Sequence, residues 1–218
     1  MNAFNEDEAE ADAPLGARAA QKAATREAVL QAARDEFERV GFDAANLRAI
    51  AERASVSAGT VIHHYGDKRE LLHAALFDDL ERTLSRGLSR LGDPPLEKQL
   101  AALTRAMFRY YEKRPTLSRT LLKESLFADP PWAERFTSQV GRVHLAITKL
   151  GEEARDRGEL RSDANVPLLS VAYFSFFYFG LISWAQGAHR DPTGLVERLV
   201  DQHLAGLRPP RKATRRRA

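Results

Sequence analysis

The chain is 218 residues long, carries a formal net charge of +3 and contains no cysteine. That length allows one substantial core or two small domains sharing an interface. The absence of thiols excludes disulfide frameworks, cysteine nucleophiles and thiolate metal sites, and it permits a reducing cytoplasm. The charge is unevenly spread. Glu6, Asp7, Glu8, Glu10 and Asp12 lie in an opening stretch without Lys or Arg, whereas Arg208, Arg211, Lys212, Arg215, Arg216 and Arg217 crowd the other end. An acidic segment over residues 1–20 and a basic tail over residues 208–218 are expected to be disordered. The opening segment lacks the basic and apolar regions of a secretory signal.

Between these ends no alternating strand pattern persists and the turn signals punctuate helices, which predicts an all-α chain of about nine helices. A first helix is expected from about Lys22 to Val40, with Val29, Leu30, Ala33, Phe37 and Val40 as its buried stripe and Gly41 at its end. In Leu47, Ile50, Ala51 and Ala54 the spacing is i, i+3, i+4 and i+7, so they share one face of a short second helix that Asn46 or Asp43 can cap. A tight Ser55-Val56-Ser57 turn follows, and Ser57 can cap a third helix that opens with the small residues Ala58, Gly59 and Thr60. Small side chains there would let the helix N-terminus press against another surface, where its partial positive charge favours a phosphate. Two short helices, a tight turn and a small-residue start to the second helix describe a helix-turn-helix.

Asp67 and Glu70 have capping-box spacing and start a fourth helix near Lys68. Its leucines at 72, 76, 80 and 84 make it long, and it would tie the head to the rest. A Gly92-Asp93-Pro94-Pro95 break follows, then a helix from Leu96 to Arg114, and a shorter one from Pro115 to about Phe127. Asp129-Pro130 should cap the next, striped by Phe136, Val140, Val143, Ile147, Leu150 and Ala154. Val166 to Ala185 is uncharged and long enough to cross a bilayer. Internal Pro167, Ser170, Ser175 and Ser183, without a flanking basic cluster, favour burial by its own domain and a second subunit over a membrane. A last helix starts at Asp191-Pro192.

The run from Thr25 to Leu76 resembles the DNA-binding domain of the TetR (tetracycline-repressor-like) family. The resemblance rests on Ala32, Ala33, Phe37, Gly41 and Phe42 in the first helix, on I-A-x-x-A in the second, and on V-S-x-G-T-V-x-x-H-Y-x-x-K through the third. It implies a homodimeric, ligand-responsive regulator, usually a repressor, that binds a double-stranded DNA operator. The domains would be residues 21–73 for DNA and 74–207 for ligand binding and dimerisation, the latter through the last two helices. By the family pattern Arg48, Ala58, Gly59, Thr60, Ile62 and His63 face the groove, His64 and Lys68 grip the sugar-phosphate backbone, and Ser57 is counted with them as DNA-binding. Thr25 and Arg26, where the first helix enters, would add backbone contacts. Arg48 can pair bidentately with guanine.

Three positions depart from the pattern. Ile62 stands where tyrosine is usual, which replaces a phenolic hydrogen bond with a thymine-methyl contact. Ser55 stands where glycine is frequent, and Ala58 is shorter than the usual polar residue. Ile62 and Ala58 leave open a helical interaction module with a degenerate helix-turn-helix, and the motifs fit an activator as well as a repressor. The resemblance also implies a pocket for a small apolar or aromatic effector. Composition and spacing suggest Phe108, Tyr111, Trp132, Phe136, His144, Tyr173, Phe177 and Trp184 for its lining, although a dense aromatic stripe is core first. No cofactor, metal or catalytic constellation is expected. Adjacent His63 and His64 do not share a helix face, and Glu70-x-x-His73 has no second such helix to complete a di-iron site.

Overall fold

A computed structural model describes residues 15–210, and every regular element among them is an α-helix. The expectations for residues 1–14 and 211–218 lie outside the described residues. The helices run α1 (Leu15–Ala44), α2 (Leu47–Arg53), α3 (Ala58–Tyr65), α4 (Lys68–Ser89), α5 (Leu96–Lys113), α6 (Pro115–Leu126), α7 (Trp132–Asp156), α8 (Val166–Ala185) and α9 (Pro192–Leu207). The chain divides into two compact units between Leu76 and Phe77, within α4.

In the first unit α1 begins at Leu15, before the expected Lys22, so residues 15–20 are helical where the composition suggested disorder. Alanine supplies the reason: Ala17, Ala19, Ala20, Ala23 and Ala24 have the highest helix propensity of any residue. Gly41 interrupts the run with φ 79°, a conformation that costs glycine nothing. The core is built from Val29, Leu30, Ala33 and Phe37 of α1, Ile50 and Ala51 of α2, Val61 of α3, and Leu71, Leu72, Ala75 and Leu76 of α4.

Two buried charges join these helices. Arg34, 1% exposed, pairs with Glu27 at 2.7 Å and donates to the Ala75 carbonyl at 3.3 Å, linking α1 to α4. Glu36, 2% exposed, accepts from Arg39 at 2.8 Å and lies 3.6 Å from Arg53 on α2. A charge this deep persists only when it is paired.

In the second unit α8 packs against α6, α7 and α9, and α5 packs against α9. Two glycines sit at tight helix–helix contacts. A Cβ on Gly151 would lie 2.5 Å from Val166, and one on Gly180 would lie 2.6 Å from Val196. The buried stripe of α7 is Trp132, Phe136, Gln139, Val143, Ile147, Gly151 and Ala154. Gly151 stands in the buried stripe in place of the expected Leu150, because close contact with α8 selects the small residue, whereas Gln139 is buried beside the half-buried Val140 with its amide donating to Glu81 at 2.7 Å. Asp129 caps α7 through its carbonyl, which accepts from Trp132 and Ala133 at 3.0 and 3.1 Å; its side chain makes no cap bond.

Only one face of α8 is buried within its own unit. Two of its polar side chains there are paired: Tyr173 bonds Thr104 at 2.9 Å, and Ser170 bonds His144 at 2.9 Å. Such partners mark a core helix despite its mean hydropathy of 1.7. The opposite face displays Leu168, Val171, Phe179 and Ile182, which are 57%, 50%, 55% and 37% exposed.

Candidate nucleic-acid interface and ligand cavity

Local chemistry shapes the turn between α2 and α3. The Asn46 side chain accepts from the Arg48 amide at 2.8 Å and caps α2, so Asn46 fills the role that Asp43 could have taken. Ser57 Oγ accepts from the Thr60 amide at 3.0 Å and shares a second hydrogen bond with Thr60 Oγ1 at 2.8 Å. Ser55 adopts φ 57°, the left-handed conformation that glycine supplies more cheaply, by about 1 kcal/mol.

With Val61 buried and Tyr65 half-buried on the inner side of α3, the outer side presents Gly59, Ile62, His63 and His64. Ile62 is 50% exposed, an apolar side chain displayed among polar ones. The His63 and His64 rings meet edge to face at 5.4 Å. Ala58 and Thr60 are half-buried and Ser57 exposed. Gly59 has no internal reason to lack a side chain. A Cβ there would meet only Ser57 Oγ at 3.6 Å, an ordinary contact.

The candidate cations differ in how they are held. Arg48 is exposed on α2, and among the described residues its guanidinium has no hydrogen bond or ion pair. Lys68 is half-buried. Its ammonium donates to the carbonyls of Asp43 at 2.9 Å and Ala45 at 3.1 Å and sits 4.7 Å above the Phe42 ring. Two of its three N–H donors thus close the end of α1, a role that sequence spacing did not reveal. On α1, Thr25 is half-buried and Arg26 exposed.

The second unit contains an apolar cavity of about 60 Å³ among Leu80, Leu84, Leu103, Met107, Tyr111, Gln139, Val140, Val143, Tyr173, Phe174, Phe177 and Tyr178. Of the eight suggested residues, Tyr111, Tyr173 and Phe177 line it. The others lie elsewhere. Phe108 is fully buried against Phe177, and Trp132 and Phe136 form an aromatic cluster with Phe77. His144 is half-buried between Ser170 and Phe174, and Trp184 lies beneath Arg119. The lining residues missed on α4, α5 and α7 are mostly aliphatic. Their i+4 rows (Leu80 and Leu84, Leu103 and Met107) marked buried faces but could not single out a cavity.

Beside the cavity, Gln139 donates to Glu81 at 2.7 Å and Arg142 donates to it at 2.6 Å. Burial acts to raise the Glu81 pKa, but these two hydrogen bonds and the Arg142 charge outweigh it and hold the carboxyl below its usual range. Burial raises the phenol of Tyr111 well above its ordinary value, with the nearby Tyr110 and Tyr178 adding to the effect, and burial likewise raises Tyr178.

Residues 29–75 match the family model described as bacterial regulatory proteins, tetR family. The repressor KstR of Rhodococcus jostii is 37% identical over 106 residues, covering 47% of this chain and 48% of that protein, so the aligned stretch spans about half of that relative. The repressor AcnR of Corynebacterium efficiens is 27% identical over 179 residues, covering 81% of this chain and 90% of its own. Among solved structures, the transcriptional regulator FadR of Bacillus subtilis in complex with stearoyl-CoA shares the fold with a TM-score of 0.68 at 15% identity, over 83% of this chain and 98% of that one. The helix-turn-helix on α2 and α3, the nine helices of the described residues and these matches agree: the chain carries, over residues 29–75, a DNA-binding domain of the TetR family of transcriptional regulators.

Proposed function

We propose that the chain is a homodimeric repressor that binds a palindromic operator and leaves it when a mainly apolar small molecule occupies the cavity of the second unit. The outer face of α3 carries this reading: a glycine that the fold does not require, an exposed Ile62 and, on the neighbouring α2, an unengaged Arg48. Arg48 is assigned to a guanine edge, Ile62 to a thymine methyl, and Ser57, Ala58, Gly59, Thr60 and His63 to close approach along the groove. Thr25, Arg26, His64 and the remaining Lys68 donor are assigned to phosphates.

The exposed apolar stripe of α8 supports the homodimer. Leu168, Val171, Phe179 and Ile182 recur at helical spacing, and a second copy of the chain would remove them from water. The effector reading draws on the apolar cavity and on the acyl-CoA complex of the Bacillus subtilis neighbour. At about 60 Å³ the cavity is well below the roughly 300–1,000 Å³ of an occupied ligand site, so a ligand must widen it. That widening gives the ligand its differential affinity for a second state, in which the two recognition helices no longer match the roughly 34–36 Å of one DNA turn. Complete switching requires about 5.5 kcal/mol of such preference. A cytoplasmic location follows from a chromosomal target.

Selection from a random duplex pool at near-physiological salt tests the proposal. A palindromic consensus with half-sites one helical turn apart is expected. Retention that is sequence-independent and salt-sensitive would replace it with the interaction-module reading.

A further inference from the structure

Tyr111 on α5, 6% exposed, lines the cavity with Tyr173 and Tyr178, but the three phenols are not equivalent. Tyr173 is engaged within the protein. Its hydroxyl shares a hydrogen bond with Thr104 Oγ1 at 2.9 Å and lies 3.4 Å from the Leu100 carbonyl. The Tyr111 and Tyr178 hydroxyls both have no hydrogen-bond partner among the described residues, but Tyr178 is half-buried whereas Tyr111 is buried. Nor is the Tyr111 hydroxyl among the fully sealed side-chain atoms that lack one, so it keeps some exposure, and Tyr111 is one of the residues that line the cavity. A donor that burial has largely stripped of water gains from a solute that brings it an acceptor.

The surroundings narrow the solute further. No charged side chain lines the cavity. A carboxylate or ammonium would therefore be desolvated without a counter-charge. The raised pKa keeps the Tyr111 phenol protonated, and hence a donor, throughout the physiological range.

We propose that Tyr111 is the specificity contact of this cavity, donating one hydrogen bond to a neutral carbonyl or ether oxygen on an otherwise apolar ligand. The inference rests on the cavity being the effector site. It predicts discrimination by the placement of a single oxygen, with apolar contact to Leu103, Met107, Val143 and Phe177 supplying the remaining affinity.

Three probes of similar shape test it on the full-length protein: acetophenone, cumene, in which an isopropyl group replaces the acetyl, and benzoate. Binding is read from the methyl resonance of Met107, which lines the cavity. Tyr111→Phe is expected to weaken acetophenone about tenfold while leaving cumene unchanged or tighter, since the orphan donor is gone. Retained cumene binding shows that the variant is folded. Benzoate is expected to bind wild type at least about tenfold more weakly than acetophenone. Equal changes for acetophenone and cumene would overturn the role of Tyr111 and leave the effector-site reading standing. Benzoate binding as tight as acetophenone would overturn the requirement for neutrality. If none of the probes moved the Met107 resonance, the effector-site reading would fail, and this inference with it.

Discussion

Gly59→Ala separates what the fold needs from what the interface needs. The new Cβ would meet only Ser57 Oγ at 3.6 Å, so the head should accept it without strain. Alanine is better than glycine in a helix interior by about 0.8–1.0 kcal/mol, and near the start of the eight-residue α3 roughly half of that is expected as a gain. On DNA the outcome reverses. A methyl group on the outer side of α3 pushes a phosphate beyond the 2.7–2.9 Å of a charge-assisted hydrogen bond (about 2.8 Å). Loss of one such bond costs about 1.5–3 kcal/mol, or roughly ten- to a hundredfold in affinity. Urea unfolding and operator titration by fluorescence anisotropy measure the two effects on one preparation. Unchanged operator affinity would refute the close approach of α3, and a loss of stability would refute the packing argument.

Gly180→Ala should do the opposite. Its Cβ would fall 2.6 Å from Val196 and 3.3 Å from Phe108, so urea unfolding should show a loss of about 1–3 kcal/mol despite the gain in helix propensity. Arg48→Ala should leave the melting temperature unchanged, because nothing in the described protein holds the guanidinium. Repeating the selection should then show one relaxed base position and a cost of about 1–3 kcal/mol. Lys68→Ala should lower stability by about 1–2 kcal/mol through the lost Asp43 and Ala45 carbonyl bonds. It should also reduce the salt slope of operator binding by about one unit, without changing sequence preference. A stability equal to wild type would contradict the internal role, and an unchanged slope the external one.

Much of the geometry of the helix-turn-helix was legible because it is local. The Ser57 cap, the Asn46 cap and the exposure of Arg48 all arise from interactions spanning a few residues. Lys68 shows where that legibility stops. Its partners are Asp43 and Ala45, more than twenty residues earlier in the chain, and no helical period connects them. Buried Arg34 and Glu36 were likewise missed, since an amphipathic reading assigns charges to the solvent face. They are buried because α4 and α2 bring a carbonyl and a second guanidinium to them.

The ligand cavity was the least legible feature. Phe108, Trp132 and Tyr111 carry the same apolar signal in sequence, yet only Tyr111 among them reaches the cavity. The order of helices, their caps, the helix-turn-helix and the apolar character of α8 were set by the sequence alone, through periodicity and backbone hydrogen bonding within about one turn. Tertiary structure decided which glycine is a packing contact and which is an open surface, which cation is engaged and which cavity phenol is hydrogen-bonded within the protein. Those outcomes depend on the rotation and separation of helices distant in the chain, and packing at contacts such as Gly151 with Val166 and Gly180 with Val196 sets both.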